Sequence, residues 1–209
     1  MDRADRRAWL VALTGVLFIV VAIISFAIVG EPKSAEDPAD EIVDFYLDNK
    51  DSVQIGAVLG MLAGLLLISF GAYLRNFLRR AVGPADLTPT IAFVGTTIVA
   101  IGIAIDGTIS FALAEAADDV DPSAVQALQA LWDNDFLPLV LGVTAYLLGT
   151  GLAILRSGAL PKWVGGVMIV ALILGFTPLG WIAAIVAALS VLVLSVMLAL
   201  KARSEPRTT

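Results

Sequence analysis

The sequence predicts an all-α protein, a polytopic membrane helical bundle of six transmembrane helices with two short amphipathic helices on its outer face, forming one membrane domain over residues 1–209. Three observations carry that expectation. Hydrophobic residues make up 59% of the chain and charged ones only 15%, with a mean hydropathy of +0.92, a balance that a water-soluble domain of this length would not need. The apolar residues are gathered into runs that, at 1.5 Å per helical residue, suit a hydrocarbon core of about 30 Å. Basic residues are sorted by loop: of 13, only Lys33 and Lys50 fall outside the head, the second and fourth connections and the tail, which sets both termini in the cytoplasm by the positive-inside rule. The net charge of −6 therefore reflects two acidic loops and no nucleic-acid partner is expected.

The head, with Arg3, Arg6 and Arg7, leads into a first span over 9–29. It is too long for a signal-peptide core and no small-residue cleavage site follows, so it reads as an uncleaved span. Residues 31–52 are acidic; Asp37-Pro38 supplies a cap and first turn, opening an outer helix over 38–50. Its Ile42, Phe45, Tyr46 and Asn49 share one face and Asp40, Asp44 and Asp48 another. The three carboxylates read as a solvated face in preference to a calcium site, because nothing supplies the turn or closing ligands of a calcium loop.

The second span, 53–78, carries Gly56, Gly60 and Gly64 at four-residue spacing with Gly71 beyond. Such a ridge lets backbones approach, and an internal neighbour is favoured over a second copy because a multi-span chain has neighbours at hand. Arg75, Arg79 and Arg80 close it. The third span, 90–115, opens on Thr88 as N-cap and Pro89 at the first helical position. A second acidic loop follows, with Asp121-Pro122 opening an outer helix over 122–133 whose apolar side is Val125, Leu128, Leu131 and Trp132.

The fourth span is 136–155, with Thr144, Tyr146 and Thr150 as its polar groups. The fifth, 163–177, is short and ends in the turn signal Thr177-Pro178-Leu179-Gly180; the sixth, 181–200, lacks glycine and is expected to have the most lipid contact. The tail from Lys201 to Thr209 is expected to be disordered. Trp9, Trp132, Trp163 and Trp181 all fall at span boundaries, as an aromatic belt requires. Val58-Leu59-Gly60 recurs as Val140-Leu141-Gly142, and the same offset carries the first acidic loop onto the second, which suggests two parallel hairpins, each crowned by a helix, followed by a third.

The connection Ser157-Gly158-Ala159-Leu160-Pro161-Lys162-Trp163-Val164-Gly165 resembles the Ser/Thr-Gly-x-Leu-Pro-Arg/Lys-Trp-Leu/Val-Gly linker of a group of uncharacterised bacterial six-span membrane proteins carrying a domain of unknown function. The Glu41-Ile42-Val43-Asp44-Phe45-Tyr46 stretch, set before a span ending Leu74-Arg75-Asn76-Phe77-Leu78-Arg79-Arg80, is similar to the same group. Gly166 departs from it, standing where a second Trp or an aliphatic residue is expected. The resemblance implies six helices and a bacterial plasma membrane, and implies no chemistry.

Asp106 is the one ionisable side chain set away from both membrane surfaces, about 22 Å along its helix from Ile91. A charged Asp at mid-depth costs about 3 kcal/mol, so such a residue faces a bundle interior or a wet cavity. Stacked with it are Gly95, Val99, Gly102, Ile109 and Ser110, a stripe whose glycines point it at protein. Two readings stand: a structural Asp, hydrogen-bonded through Thr108, Ser110 or a hydroxyl of another span, or a proton or ion site. The candidate intramembrane polar site is Asp106, Ser110, Thr144 and Tyr146.

Cys and His are absent, which removes disulfides, thiolate and imidazole metal sites, haem held by His, and catalysis through a Cys nucleophile or His base. No catalytic residues, metal ligands or cofactor are expected. The reading favoured is a non-enzymatic structural or interaction component whose partners are the lipid bilayer and either another membrane protein or a second copy. The alternative is a small transporter or ion-coupled carrier using Asp106. A lipid-modifying enzyme ranks last, because no carboxylate cluster lies at membrane depth.

Overall fold

A computed structural model of the chain describes residues 3–204. The expected disordered tail beyond Ser204 lies outside the described residues, as do the side chains of Arg3, Arg6 and Arg7 in the head. Everything described is helix and connection. The elements are α1 (Arg3–Ala12), α2 (Thr14–Val29), α3 (Ala39–Asp48), α4 (Lys50–Val82), α5 (Thr88–Asp119), α6 (Pro122–Asp133), α7 (Leu137–Ser157), α8 (Lys162–Leu174) and α9 (Gly180–Ser204). Five helical stretches are long and apolar enough to cross a membrane: 8–29, 50–82, 88–119, 122–157 and 180–203. The thirteen-residue α8 is apolar but shorter.

The chain packs largely in order, α2 on α4, α4 on α5, α5 on α7 and α7 on α8, while α9 returns to lie against α8, α1 and α2. The main core lies among α4, α7, α8 and α9, where Phe70, Leu74, Leu147, Ile154, Met168 and Leu194 are fully or almost fully buried. A smaller core of Ile42, Tyr46, Val53, Leu113 and Val125 joins α3 and α6 to the ends of α4 and α5, forming a cap over one end of the bundle.

The first span is not one continuous helix as its composition suggested. It breaks at Leu13, and the cause is on α9: the Ser195 hydroxyl donates to Ala12 O at 2.5 Å and accepts from Val16 N at 3.1 Å. A side chain inserted into the i→i−4 ladder is a recognised source of such breaks. Gly15 makes room for it, since a β-carbon there would lie 2.9 Å from both Phe70 and Ser195.

The ridge on α4 packs internally. Gly56 meets Val29 of α2, Gly64 meets Ala100 of α5, and Gly60 between them faces Ile103. The closest backbone approach lies elsewhere, between antiparallel α5 and α7. A β-carbon on Gly142 would stand 2.6 Å from Val99 N, and Gly95 and Gly149 meet the backbones of Tyr146 and Ala92 as closely.

The expectation that the last span has the most lipid contact is corrected. In α9, 44% of the apolar window is buried against 17% in the first span, because Ala183, Ala187, Ser190, Ser195 and Ala199 provide the small contact surface that glycine provides elsewhere.

The caps also differ in part from expectation. At the start of α5 the cap position is Leu87 and not Thr88, and it has no side-chain cap; Asp86, one residue earlier, accepts at Oδ1 from Thr88 N at 2.8 Å and from Thr88 Oγ1 at 2.6 Å. These bonds, helped by Arg156 Nη1 at 3.1 Å from Oδ2, hold the Asp86 carboxyl below the usual aspartate range. Asp121 caps α6 by accepting from Ser123 N. Asp37 instead turns back, accepting from Ser34 N at 2.9 Å, and α3 has no side-chain cap.

Candidate functional site

The α5–α7 register determines what surrounds Asp106. Gly95 lies on the Tyr146 backbone and Gly102 beside Leu139, so one turn beyond Gly102 the facing helix has given way to the α6–α7 corner. Asp106 therefore meets Trp132 and Asp135 in place of a packed helix. It is half-buried and lines a partly open cavity of about 190 Å³. Ser25, Phe26 and Val29 of α2 line one wall and Gly56 and Gly60 of α4 the floor, with Ile103, Ser110, Trp132 and Leu139 among the remaining lining residues. The lining is overwhelmingly apolar. Gly60 leaves room there, since a β-carbon on it would meet nothing nearer than Ile103 at 3.4 Å, while Gly56 lets Val29 of α2 come close.

The polar groups at the corner are incompletely satisfied. The Trp132 indole N–H approaches the Asp106 carboxylate, but short of hydrogen-bond geometry, leaving a buried donor unpartnered. Asp135 Oδ2 is buried without a partner as well, and its charge is within reach of Asp106. Among the described residues, no ion pair includes either carboxylate: Lys33 pairs with Glu41, Lys50 with Asp118 and Glu115, and Arg156 with Asp86.

Of the four residues singled out from sequence, the structure brings Asp106 and Ser110 together and puts Thr144 and Tyr146 elsewhere. Tyr146 belongs with Gly95, eleven residues and about 16 Å from Asp106 along α5. Its hydroxyl lies 3.0 Å from Ser190 Oγ, which donates to Ala187 O at 2.7 Å, so Tyr146 ties α7 to α9. Thr144 Oγ1 bonds the carbonyls of Val140 and Leu141 within its own helix. Thr108 does the same to Ala104 O and does not serve Asp106. Among the glycines, Gly56 and Gly60 line the cavity, Gly64 lies at the α4–α5 contact, and Gly95 and Gly102 face α7.

Sequence reasoning missed Trp132 and Asp135. By sequence Trp132 belongs to the aromatic belt and to the apolar side of the outer helix, and Asp135 is not singled out; the one available sign is that both lie at the end of a helix whose apolar face has to be covered.

The cap is held by a polar chain that runs from the buried Tyr46 and Gln129 out to the exposed Asp133. Tyr46 OH donates to Gln129 Oε1 at 2.8 Å, Gln129 Nε2 to Asp133 Oδ1 at 2.9 Å, and Ala35 N to Asp133 Oδ2 at 2.8 Å. Burial pushes the Tyr46 hydroxyl above the usual tyrosine range, and the charges of Asp133 and Asp106 push the same way.

No curated protein and no solved structure matches the chain. One family model does, over residues 13–199, from within the first helical span to near the end of α9, and it is described as Domain of unknown function (DUF4386). The match takes in the cavity, the cap and the Ser157–Gly165 linker alike, and on it the chain belongs to the DUF4386 family.

Proposed function

We propose that the protein is a six-span, multi-pass component of the bacterial plasma membrane, with both termini in the cytoplasm, acting through helix and surface contacts and not as an enzyme. The observation that supports this is how the polar groups inside the bundle are used. The hydroxyls of Ser25, Thr96, Thr144, Ser190 and Ser195 each bond a backbone carbonyl instead of converging on one point, Ser25 and Ser195 across to a neighbouring helix and the other three within their own. On this reading α8 is the fifth crossing, and α3 and α6 are amphipathic helices on the outer face. They bury Ile42, Tyr46, Val125 and Gln129 while Asp40, Asp44 and Asp48 stay in water. The orientation is supported by Arg203 over the Trp9 ring at 5.1 Å and Lys201 over Phe77 at 5.2 Å, which gather cations and aromatics at the end opposite the cap.

A cytoplasm-only reporter inserted near Pro84 should be active and one near Pro38 or Asp121 inactive; the reverse pattern overturns the orientation. For the role itself, cross-linking in intact membranes should trap the wild type in a complex larger than one copy. Replacing Asp40, Asp44 and Asp48 together with Asn should abolish it and Asp106→Asn should leave it. Recovery of a single copy throughout counts against an interaction component.

A second reading, a small carrier using Asp106, is favoured by one observation: Asp106 and Ser110 line a cavity. It expects Asp106→Asn to keep the fold and remove activity.

A further inference from the structure

We propose that the cavity beside Asp106 is a binding site for a small amphipathic organic cation, an ammonium group bearing a single ring or a short branched apolar substituent. This rests on the second reading, that Asp106 serves a ligand, and adds the class of ligand.

Charge comes first. Asp106 and Asp135 lie within electrostatic reach of one another, neither takes part in an ion pair among the described residues, and Asp135 Oδ2 is buried with no partner. Asp106 in the cavity wall, with the charge of Asp135 within reach behind it, favours a cation beside surroundings of low dielectric. The walls select which cation. A hard metal ion needs some six oxygen ligands. Here the Ser25 hydroxyl is committed to Gly56 O at 2.8 Å, and Val29, Ile103 and Leu139 offer hydrocarbon. An organic ammonium needs little more than a carboxylate on one side and apolar or aromatic surface on the others, which Phe26 and Trp132 supply. Size sets the scale: about 190 Å³ exceeds the roughly 150 Å³ that accommodates benzene, leaving space for a ring and a compact head group.

The test uses the full chain in lipid nanodiscs with benzyltrimethylammonium as probe and neopentylbenzene as its neutral isostere, binding being read by equilibrium dialysis. The cation should bind saturably and the isostere should not compete. Asp106→Asn should weaken binding by about tenfold or more, and so should Gly60→Leu, which keeps both carboxylates and fills the floor. Should Asp106→Asn lose its helical circular dichroism, Asp135→Asn replaces it. Equal competition by neopentylbenzene, or binding indifferent to both the charge and the floor variants, overturns the proposal. Binding of sodium without the organic cation would sink the ligand class and keep Asp106 as an ion site. No binding of either would remove both.

Discussion

The Ser195 hydroxyl stands where the Val16 amide would otherwise bond Ala12, bridging a helix break from the far end of the chain. Locally only Thr14 Oγ1, bonded to Val11 O at 2.7 Å, marks the interruption at Leu13, and the long-range partner is Ser195. Replacing Ser195 with Ala leaves a buried N–H and a buried carbonyl without partners, at a cost of about 1–3 kcal/mol. Thermal unfolding in nanodiscs should register that loss. A midpoint equal to wild type would mean that the helix closes its own gap and that the α9 contact is dispensable.

Glycine positions that look alike in sequence should respond in opposite directions to a single methyl group. Gly142→Ala places a β-carbon 2.6 Å from Val99 N, where backbone cannot yield, so α5 and α7 must separate and the midpoint should fall. At Gly60 the nearest atom is the Ile103 side chain at 3.4 Å, and the higher helix propensity of alanine, about 1 kcal/mol, should hold or raise stability. Equal loss at both positions would refute the assignment.

Asp86 fastens the end of the bundle opposite the cap. Asp86→Ala should cost about 1 kcal/mol through the lost hydrogen bonds to Thr88. Its folded carboxyl is lowered, chiefly by the Thr88 bonds, so the stabilisation is present above the ordinary aspartate range and is lost as pH falls below about 4. A wild-type stability that declines through that range more steeply than the Asp86→Ala variant is the expected result; parallel curves would contradict it.

Tyr46 gives the opposite sign. Its hydroxyl is raised by burial, so its contribution is complete below the ordinary tyrosine value, about 10, and disappears as pH rises past it. Tyr46→Phe should remove part of that alkaline decline while costing about 1–3 kcal/mol at neutral pH, because Gln129 Oε1 loses its donor in a fully buried site. An unchanged alkaline limb would show that the cap opens before Tyr46 titrates.

The features legible from sequence are those set by local periodicity. Apolar runs mark the helices, Asp121 and Pro122 mark where α6 begins, and the spacing of Gly95, Gly102 and Asp106 puts them on one stripe. What was hidden depends on register between distant segments. Sequence shows that Thr144 and Tyr146 lie on a span, but their level against Asp106 follows from Gly95 meeting Tyr146 and Gly102 meeting Leu139, a pairing no local rule gives. Trp132 reaches the cavity, and the Asp135 charge reaches Asp106, only because α7 begins where it does. Ser195 is one serine in an aliphatic helix until its partner helix is known.

The short α8 carries a consequence for the surrounding lipid. Thirteen residues span about 20 Å, whereas α4, with 33, spans about 50 Å. As a fifth crossing, α8 falls about 10 Å short of an average hydrocarbon layer, and the exposed Trp163, Phe176 and Trp181 around its ends would draw the interfaces inward. On the proposed six-span reading the mismatch is one-sided, so the membrane would be pinched along α8 and left at full thickness along α4, α5 and α9. At a fraction of a kcal/mol for each ångström, that asymmetry would steer a six-span protein toward thinner bilayers and give two neighbouring copies reason to share one dimple.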